Sequence, residues 1–209
     1  MVITVLIANM KGGAGKTTIA TNLAVAYAAE GRRAVLADAD RQRSSLRWIQ
    51  ARPAGAVPVI GVDWSHDCDE VPKGTARLIV DSPAGMRSKR VDALVRMADV
   101  VLIPIVPSVF DEGTTALFLS QLRAVKPVSK GKRPYALVPN RVRRRTRAAE
   151  RLEAFMAALD CEAVGRLPDL SIFPEVAAEG RGIFDLPGSR GRRLRADWAE
   201  IVAFIEDRG

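Results

Sequence analysis

Histidine, cysteine and aromatic residues are scarce in this chain: one His, two Cys and 5% Phe, Trp and Tyr among 209 residues. Cys68 and Cys161 lie far apart and no Cys-x-x-Cys occurs. That argues against a disulfide framework or a structural zinc site and makes a reducing cytoplasm the expected setting. His66 stands in "DWSHDCDE", where one His, one Cys and scattered acids read as loop chemistry rather than a metal centre. No run approaches the roughly 18 apolar residues of a membrane span. The opening "MVITVLIAN" lacks a basic leader and a small-residue cleavage site, so a soluble intracellular protein is expected. Few aromatics beside 48% hydrophobic residues fit a core of aliphatic strands and Ala/Leu-rich helices, and Trp48 and Trp64 read as packing residues. The length suits one domain over residues 1–209. Acid is also short: 24 Asp and Glu against 32 Lys and Arg give a formal charge of +8. Such an excess points to a polyanion or an anionic surface as partner, or to a merely Arg-rich solvated exterior.

Short apolar runs alternate with helical periodicity. Val2–Ala8, Ala34–Ala37, Leu78–Val80, Val100–Val106 and Tyr135–Val138 read as buried strands. Lys16–Glu30, Arg41–Gln50, Lys89–Met97, Thr114–Val125, Thr146–Leu159 and Asp197–Glu206 read as helices. The alternation predicts an α/β fold, a mostly parallel twisted sheet flanked by helices. Residues Ala51–Thr75 are broken by Pro and Gly, with one short strand expected at Val57–Ile60.

"KGGAGKTT" follows the first strand and opens the first helix, the context that gives a Gly-rich pattern meaning. Gly12, Gly13, Ala14 and Gly15 let the backbone curl with N–H groups turned toward a phosphate. The positive end of the helix dipole adds to that field. Lys16 is placed to neutralise β- and γ-phosphates, Thr17 to ligate Mg²⁺, and Thr18 to reach the α-phosphate.

This stretch resembles the deviant Walker A loop of the ParA/MinD family of P-loop ATPases, and matching segments run through most of the chain. The resemblance implies a P-loop NTPase fold, ATP and Mg²⁺ as ligands, and an ATP-dependent homodimer. It also implies that Lys11 crosses to the partner subunit's phosphates. Two chains enclosing two triphosphates would crowd negative oxygens at their interface, and an added ammonium group offsets that charge. An exposed lysine serving only local charge is the plainer alternative.

"AVLADAD" and "RLIVDSPAG" end strands in acids. Positions i and i+2 of a strand share a face, so Asp38 and Asp40 are both expected to look toward the phosphates. The resemblance assigns Asp38 to the Mg²⁺ environment and Asp40 to positioning the attacking water. Where many relatives continue Asp-Pro-Gln, this chain has Asp40-Arg41-Gln42. Asp81 looks like a Walker B carboxylate that holds Mg²⁺ through water, and Gly85 like a γ-phosphate sensor. "VLIPIVPS" and "LVPNRV" end strands at the carboxyl edge of the sheet, where nucleotides bind in open α/β folds. The resemblance implies that Asn140 reads the adenine amino group and that Pro168 and Asp169 border the ring; an Asn after Pro is equally an ordinary turn residue.

The positive charge is clustered. Arg141, Arg143, Arg144, Arg145, Arg147 and Arg151 stand against Glu150 alone; Arg190, Arg192, Arg193 and Arg195 follow, and Lys126, Lys130, Lys132 and Arg133 precede. Such runs suit phosphate contacts without base readout, or a solvated face. With no recognition-helix module, the resemblance is to the small ParA-like subgroup lacking an N-terminal DNA-recognition domain. It implies weak, partner-stimulated ATP hydrolysis, non-specific DNA binding on the nucleoid, and a small ParB-like or cargo-adaptor partner, the cargo being a plasmid or an intracellular body. A membrane-associated MinD-like positioning ATPase is one alternative. However, the last helix carries Glu200, Glu206 and Asp207 opposite its apolar stripe of Trp198, Ile201, Val202 and Ile205, and is expected to pack on its own domain. An ATP-dependent metabolic enzyme of the same superfamily is another; its reductase branch needs cluster-ligating cysteines that Cys68 and Cys161 do not supply.

Overall fold

A computed structural model of the chain describes residues 1–68, 70–85 and 88–209. In chain order the elements are β1 (Ile3–Ile7), α1 (Lys16–Ala29), β2 (Ala34–Asp38), α2 (Ser44–Gln50), β3 (Ile60–Asp63), β4 (Arg77–Asp81), α3 (Ser88–Met97), β5 (Val100–Ile105), α4 (Val109–Ala124), α5 (Lys126–Ser129), β6 (Tyr135–Pro139), α6 (Arg147–Ala158) and α7 (Ile172–Ala178). A 3₁₀ turn at Ile183–Asp185, α8 (Gly188–Ala196) and α9 (Ala199–Arg208) complete the chain. The six strands form one sheet in the order β3-β2-β4-β1-β5-β6, and every pairing is parallel.

Parallel strands covered on both faces must be apolar throughout, and the central ones are. In β1, Val5 and Ile7 join a core with α1, α2, α7, α8 and α9, whereas Leu6 and, just past the strand, Ala8 join the opposite core with α3, α4 and α6. Helix α1 is apolar on nearly every side, with Ile19 through Tyr27 buried, which suits a helix enclosed between the sheet and its neighbours. The apolar stripe of α9 is spent the same way: Ile201, Phe204 and Ile205 are buried beside Trp198. Among the described residues no helix is long and apolar enough to cross a membrane.

Three expectations shift. The edge strand β3 occupies Ile60–Asp63 rather than Val57–Ile60, and all four of its residues are half-buried, so no continuous apolar run marks it. Helix α2 begins at Ser44 instead of Arg41, because Asp40–Arg43 forms a turn in which Arg43 adopts φ +52°. Helix α4 begins at Val109, five residues before Thr114, since Asp111 and Glu112 of its first turn face inward rather than into solvent.

Register fixes where chemistry can occur. Asp81 lies opposite Ile7 on one side and Asp38 on the other, and Asp38 lies opposite Asp63. The phosphate loop and both strand-end acids therefore emerge at the carboxyl edge of adjacent strands, where open α/β sheets bind ligands.

Candidate nucleotide site

The loop between β1 and α1 is held from several sides. Asn9 is fully buried and donates through Nδ2 to the Pro104 carbonyl at 2.7 Å and to the Thr115 hydroxyl at 3.0 Å, while its Oδ1 accepts from the Lys11 N–H. Gly15 caps α1 at φ +95°, and a Cβ there would lie 2.1 Å from Asn140 Nδ2. Only glycine satisfies both the left-handed backbone and that close approach. Lys16 is buried and its ammonium donates to the Lys11 carbonyl at 3.0 Å. Burial lowers its pKa, and the charges of Asp81 and Asp40 work against that shift.

The acids divide by position. Asp81 is buried; its Oδ2 accepts from the Thr17 hydroxyl at 2.7 Å and from the Ser45 hydroxyl at 2.5 Å, while its Oδ1 is buried without a hydrogen-bond partner. Burial pushes its carboxyl up to about 6. Asp38 is fully buried, accepts from the N–H groups of Asp40 and Leu46, and is raised by burial. Asp40 is a correction to the shared-strand-face expectation: β2 stops at Asp38, and Asp40 stands in the following turn with Oδ1 accepting from the Gln42 N–H.

Asn140, Pro168 and Asp169 do come together. With Thr18 they line a cleft of about 470 Å³ closed by α7. Asn140 is buried, donating to the Ala14 carbonyl at 2.8 Å and accepting from the Arg141 N–H at 3.0 Å. In this state its amide braces the phosphate loop. Gly85 N–H likewise donates to the Met10 carbonyl at 2.9 Å. No hydrogen bond or ion pair engages the Lys11 ammonium among the described residues.

The arginines scatter. Arg141, Arg144, Arg145 and Arg147 are exposed around the start of α6, and Arg190, Arg192 and Arg193 are exposed on α8. Arg143 instead pairs with Asp169 at 2.6 Å, and Arg195, half-buried, donates to the Phe184 and Leu186 carbonyls. The Arg143 guanidinium, though exposed, is thus held beside the cleft by an acid, and that of Arg195 braces the 3₁₀ turn. Among the described residues no group of His, Cys, Asp and Glu is arranged to hold a metal by itself; Asp69 lies outside the described residues.

Sequence reasoning missed Ser45 and Arg52. Ser45 is fully buried and ties α2 to Asp81. Arg52, just past α2, pairs with Asp185 through both guanidinium nitrogens at 3.1 Å and also donates to the Gly180 and Val57 carbonyls. Trp48 adds a bond from Nε1 to the Arg181 carbonyl. Serines and arginines after a strand-end acid carry no local signal, because their partners stand 36 and 133 residues away.

The family described as the CobQ/CobB/MinD/ParA nucleotide binding domain covers residues 5–183. The chain is 30% identical over 220 residues to the maintenance of carboxysome distribution protein A of Gloeobacter kilaueensis, spanning 97% of this chain and 93% of that protein. It is 27% identical over 206 residues to the protein of the same name from Halothiobacillus neapolitanus, spanning 95% and 94%. In structure it is similar to Cyanothece McdA without nucleotide, with a TM-score of 0.77 at 14% identity over 100% of this chain and 99% of that one. An ATP complex of a variant of Cyanothece McdA gives a TM-score of 0.75 at 14% identity over 94% and 96%.

Proposed function

The chain belongs to the CobQ/CobB/MinD/ParA family of nucleotide-binding domains, and from that premise we propose that it is an ATP-dependent positioning ATPase that dimerises on ATP and rides on DNA. One observation carries the reading. The Lys16 ammonium, the Thr17 hydroxyl and the buried acids Asp38 and Asp81 converge at one sheet edge, while the Lys11 ammonium beside them has no partner among the described residues.

The donor set fits Mg²⁺. A hard cation takes oxygen ligands and keeps several waters; the hydroxyl of Thr17 and the unpartnered Oδ1 of Asp81 are oxygens of that kind. Burial makes ionised Asp81 and Asp38 costly, and a divalent cation removes that cost. Bound Mg²⁺ would supply charge neutralisation at the β- and γ-phosphates. The loop's N–H groups and Lys16 cradle the phosphates, Thr18 borders the α-phosphate, and the Asn140–Pro168–Asp169 cleft takes the base. Lys16 must release the Lys11 carbonyl to do so, which couples phosphate binding to the position of Lys11.

Asp40 orients water for attack on the γ-phosphate. Little covalent chemistry falls to the protein in phosphoryl transfer, so orientation rather than proton abstraction is its role. Lys11 reaches the partner subunit's phosphates, making the dimer conditional on ATP. The net charge of +8 favours DNA as the surface on which the dimer is held. A partner that stimulates hydrolysis releases it, and the cargo is a plasmid or an intracellular body; the relatives named for carboxysome distribution support the second. The test is nucleotide-dependent retention on duplex DNA at low salt. ATP-dependent retention supports the reading, and equal retention with ATP, with ADP and without nucleotide contradicts it.

A further inference from the structure

The cations of this chain are not committed alike. Toward the carboxyl edge, Arg143 pairs with Asp169 and Arg151 with Glu112. Arg144 and Arg145 line a cleft of about 710 Å³ whose walls also carry Glu150, Glu153, Asp197 and Glu200. Acids offset much of the charge there.

The opposite edge has no such compensation. A depression of about 270 Å³ is lined by Arg96, Lys126, Pro127, Lys130, Lys132 and Arg133. Arg96 ends α3 just before β5, and the others lie on α5 and the turn leading into β6, so all sit at the amino edge of the sheet. Arg96 is held by Asp92 through bonds of 2.7 and 3.2 Å. No ion pair engages Lys126, Lys130, Lys132 or Arg133 among the described residues, and no described acid lines the depression. The Arg133 Nε is buried without a hydrogen-bond partner.

The backbone builds this cluster in place. The N–H groups of Lys130, Gly131 and Lys132 donate to the carbonyls of Lys126, Val128 and Pro127, and Gly131 takes φ +65°. That winds three lysines around a single helical turn. Like charges gathered within a Debye length of about 8 Å repel one another, and a polyanion laid across them removes the repulsion.

We propose that this amino-edge depression is the surface through which the chain grips the phosphate backbone of duplex DNA. The inference rests on the DNA-binding reading above and names its surface, displacing the carboxyl-edge arginines from that role. Three lysines without an ion pair, beside Arg133 whose guanidinium donates to the Lys132 carbonyl at 3.1 Å, exceed what one phosphate needs and suit a run of them. An anionic membrane would call for an amphipathic helix to lie in it, whereas α5 spans four residues.

The length of β5, about 20 Å, separates the depression from the nucleotide edge. Two subunits meeting at their nucleotide edges therefore leave both depressions open, one at each far end of the dimer. Each depression by itself gives a salt slope of at most about −3.6.

The experiment compares full-length wild type with the triple variants Lys126→Glu, Lys130→Glu, Lys132→Glu and Arg190→Glu, Arg192→Glu, Arg193→Glu. Each is loaded with a non-hydrolysable ATP analogue and titrated with a long random-sequence duplex at several salt concentrations. Nucleotide affinity serves as the folding control, and a Lys→Gln triple as the milder partner. The expected result is a loss of about 100-fold or more and a shallower slope for the lysine reversal, a smaller loss for the Gln triple, and near-wild-type binding for the α8 reversal. If the α8 reversal loses DNA and the lysine reversal keeps it, the DNA reading stands and the surface named here is wrong. A wild type that ignores duplex at low salt overturns both. Binding lost to anionic vesicles rather than to duplex overturns the choice of partner.

Discussion

Ser45 on α2 donates its hydroxyl to Oδ2 of Asp81 at the end of β4 across 2.5 Å, and the Thr17 hydroxyl shares the same oxygen at 2.7 Å. One buried carboxylate thereby connects the phosphate-loop helix to the helix that follows Asp38 and Asp40. Ser45→Ala should weaken magnesium-nucleotide binding more than binding of nucleotide with EDTA. Ser45→Thr should recover most of the difference; calorimetric titration in the two conditions reads it.

The titration of Asp81 has a stability signature. Its folded pKa of about 6 exceeds the ordinary carboxyl value of about 3.9, so between those values the folded chain holds a proton that the unfolded chain releases. Stability falls as pH rises through that window and levels off above it. Asp81→Asn removes the burden, so without nucleotide the variant should gain on wild type across the window, by on the order of 1 to 3 kcal/mol at pH 7. Urea unfolding of both proteins at pH 4.5 and pH 7 checks it, and Asp81→Asn should also lose magnesium-dependent nucleotide binding.

The Arg52–Asp185 pair is enclosed, with side chains 6% and 4% exposed. Removing one member strands the other charge in the interior. Arg52→Ala should cost about 3 to 5 kcal/mol, read by urea unfolding, and should loosen α2 against the segment that leads from the base cleft. Exchanging both residues for apolar side chains of similar volume should restore most of the stability.

Asp40 stands outside the strand, and its effect should be confined to turnover. Asp40→Ala is expected to bind the ATP analogue as wild type does and to lower the hydrolysis rate about 100-fold. A phosphate-release assay beside an equilibrium binding curve separates the two.

Much of this arrangement is legible in the sequence because it is local. Val5, Ile7, Leu36, Ile79 and Leu102 lie in continuous apolar runs, and "KGGAGKTT" carries its geometry in its glycines. The edge strand β3 was displaced because half-buried residues leave no apolar run. Helices α7 and α8 leave no clean signal: α7 spans seven residues and holds Pro174, and the arginines of α8 mask any periodicity. The Ser45–Asp81 bond and the meeting of Arg96 with Lys126–Arg133 are tertiary facts. They join residues whose separation in the chain carries no pattern.

The trans role of Lys11 should leave nucleotide affinity intact. Lys11→Ala is expected to bind the ATP analogue within about threefold of wild type yet remain monomeric, because a charge that acts across the interface adds little to binding within one subunit. Sedimentation of the loaded variant reads both.

The most direct measurement is the solution mass of the wild-type protein saturated with magnesium and a non-hydrolysable ATP analogue, taken by light scattering behind a sizing column. An ATP-built dimer gives twice the chain mass of 22.6 kDa, returning to the single mass with ADP. A mass that stays at one chain with the analogue bound contradicts it.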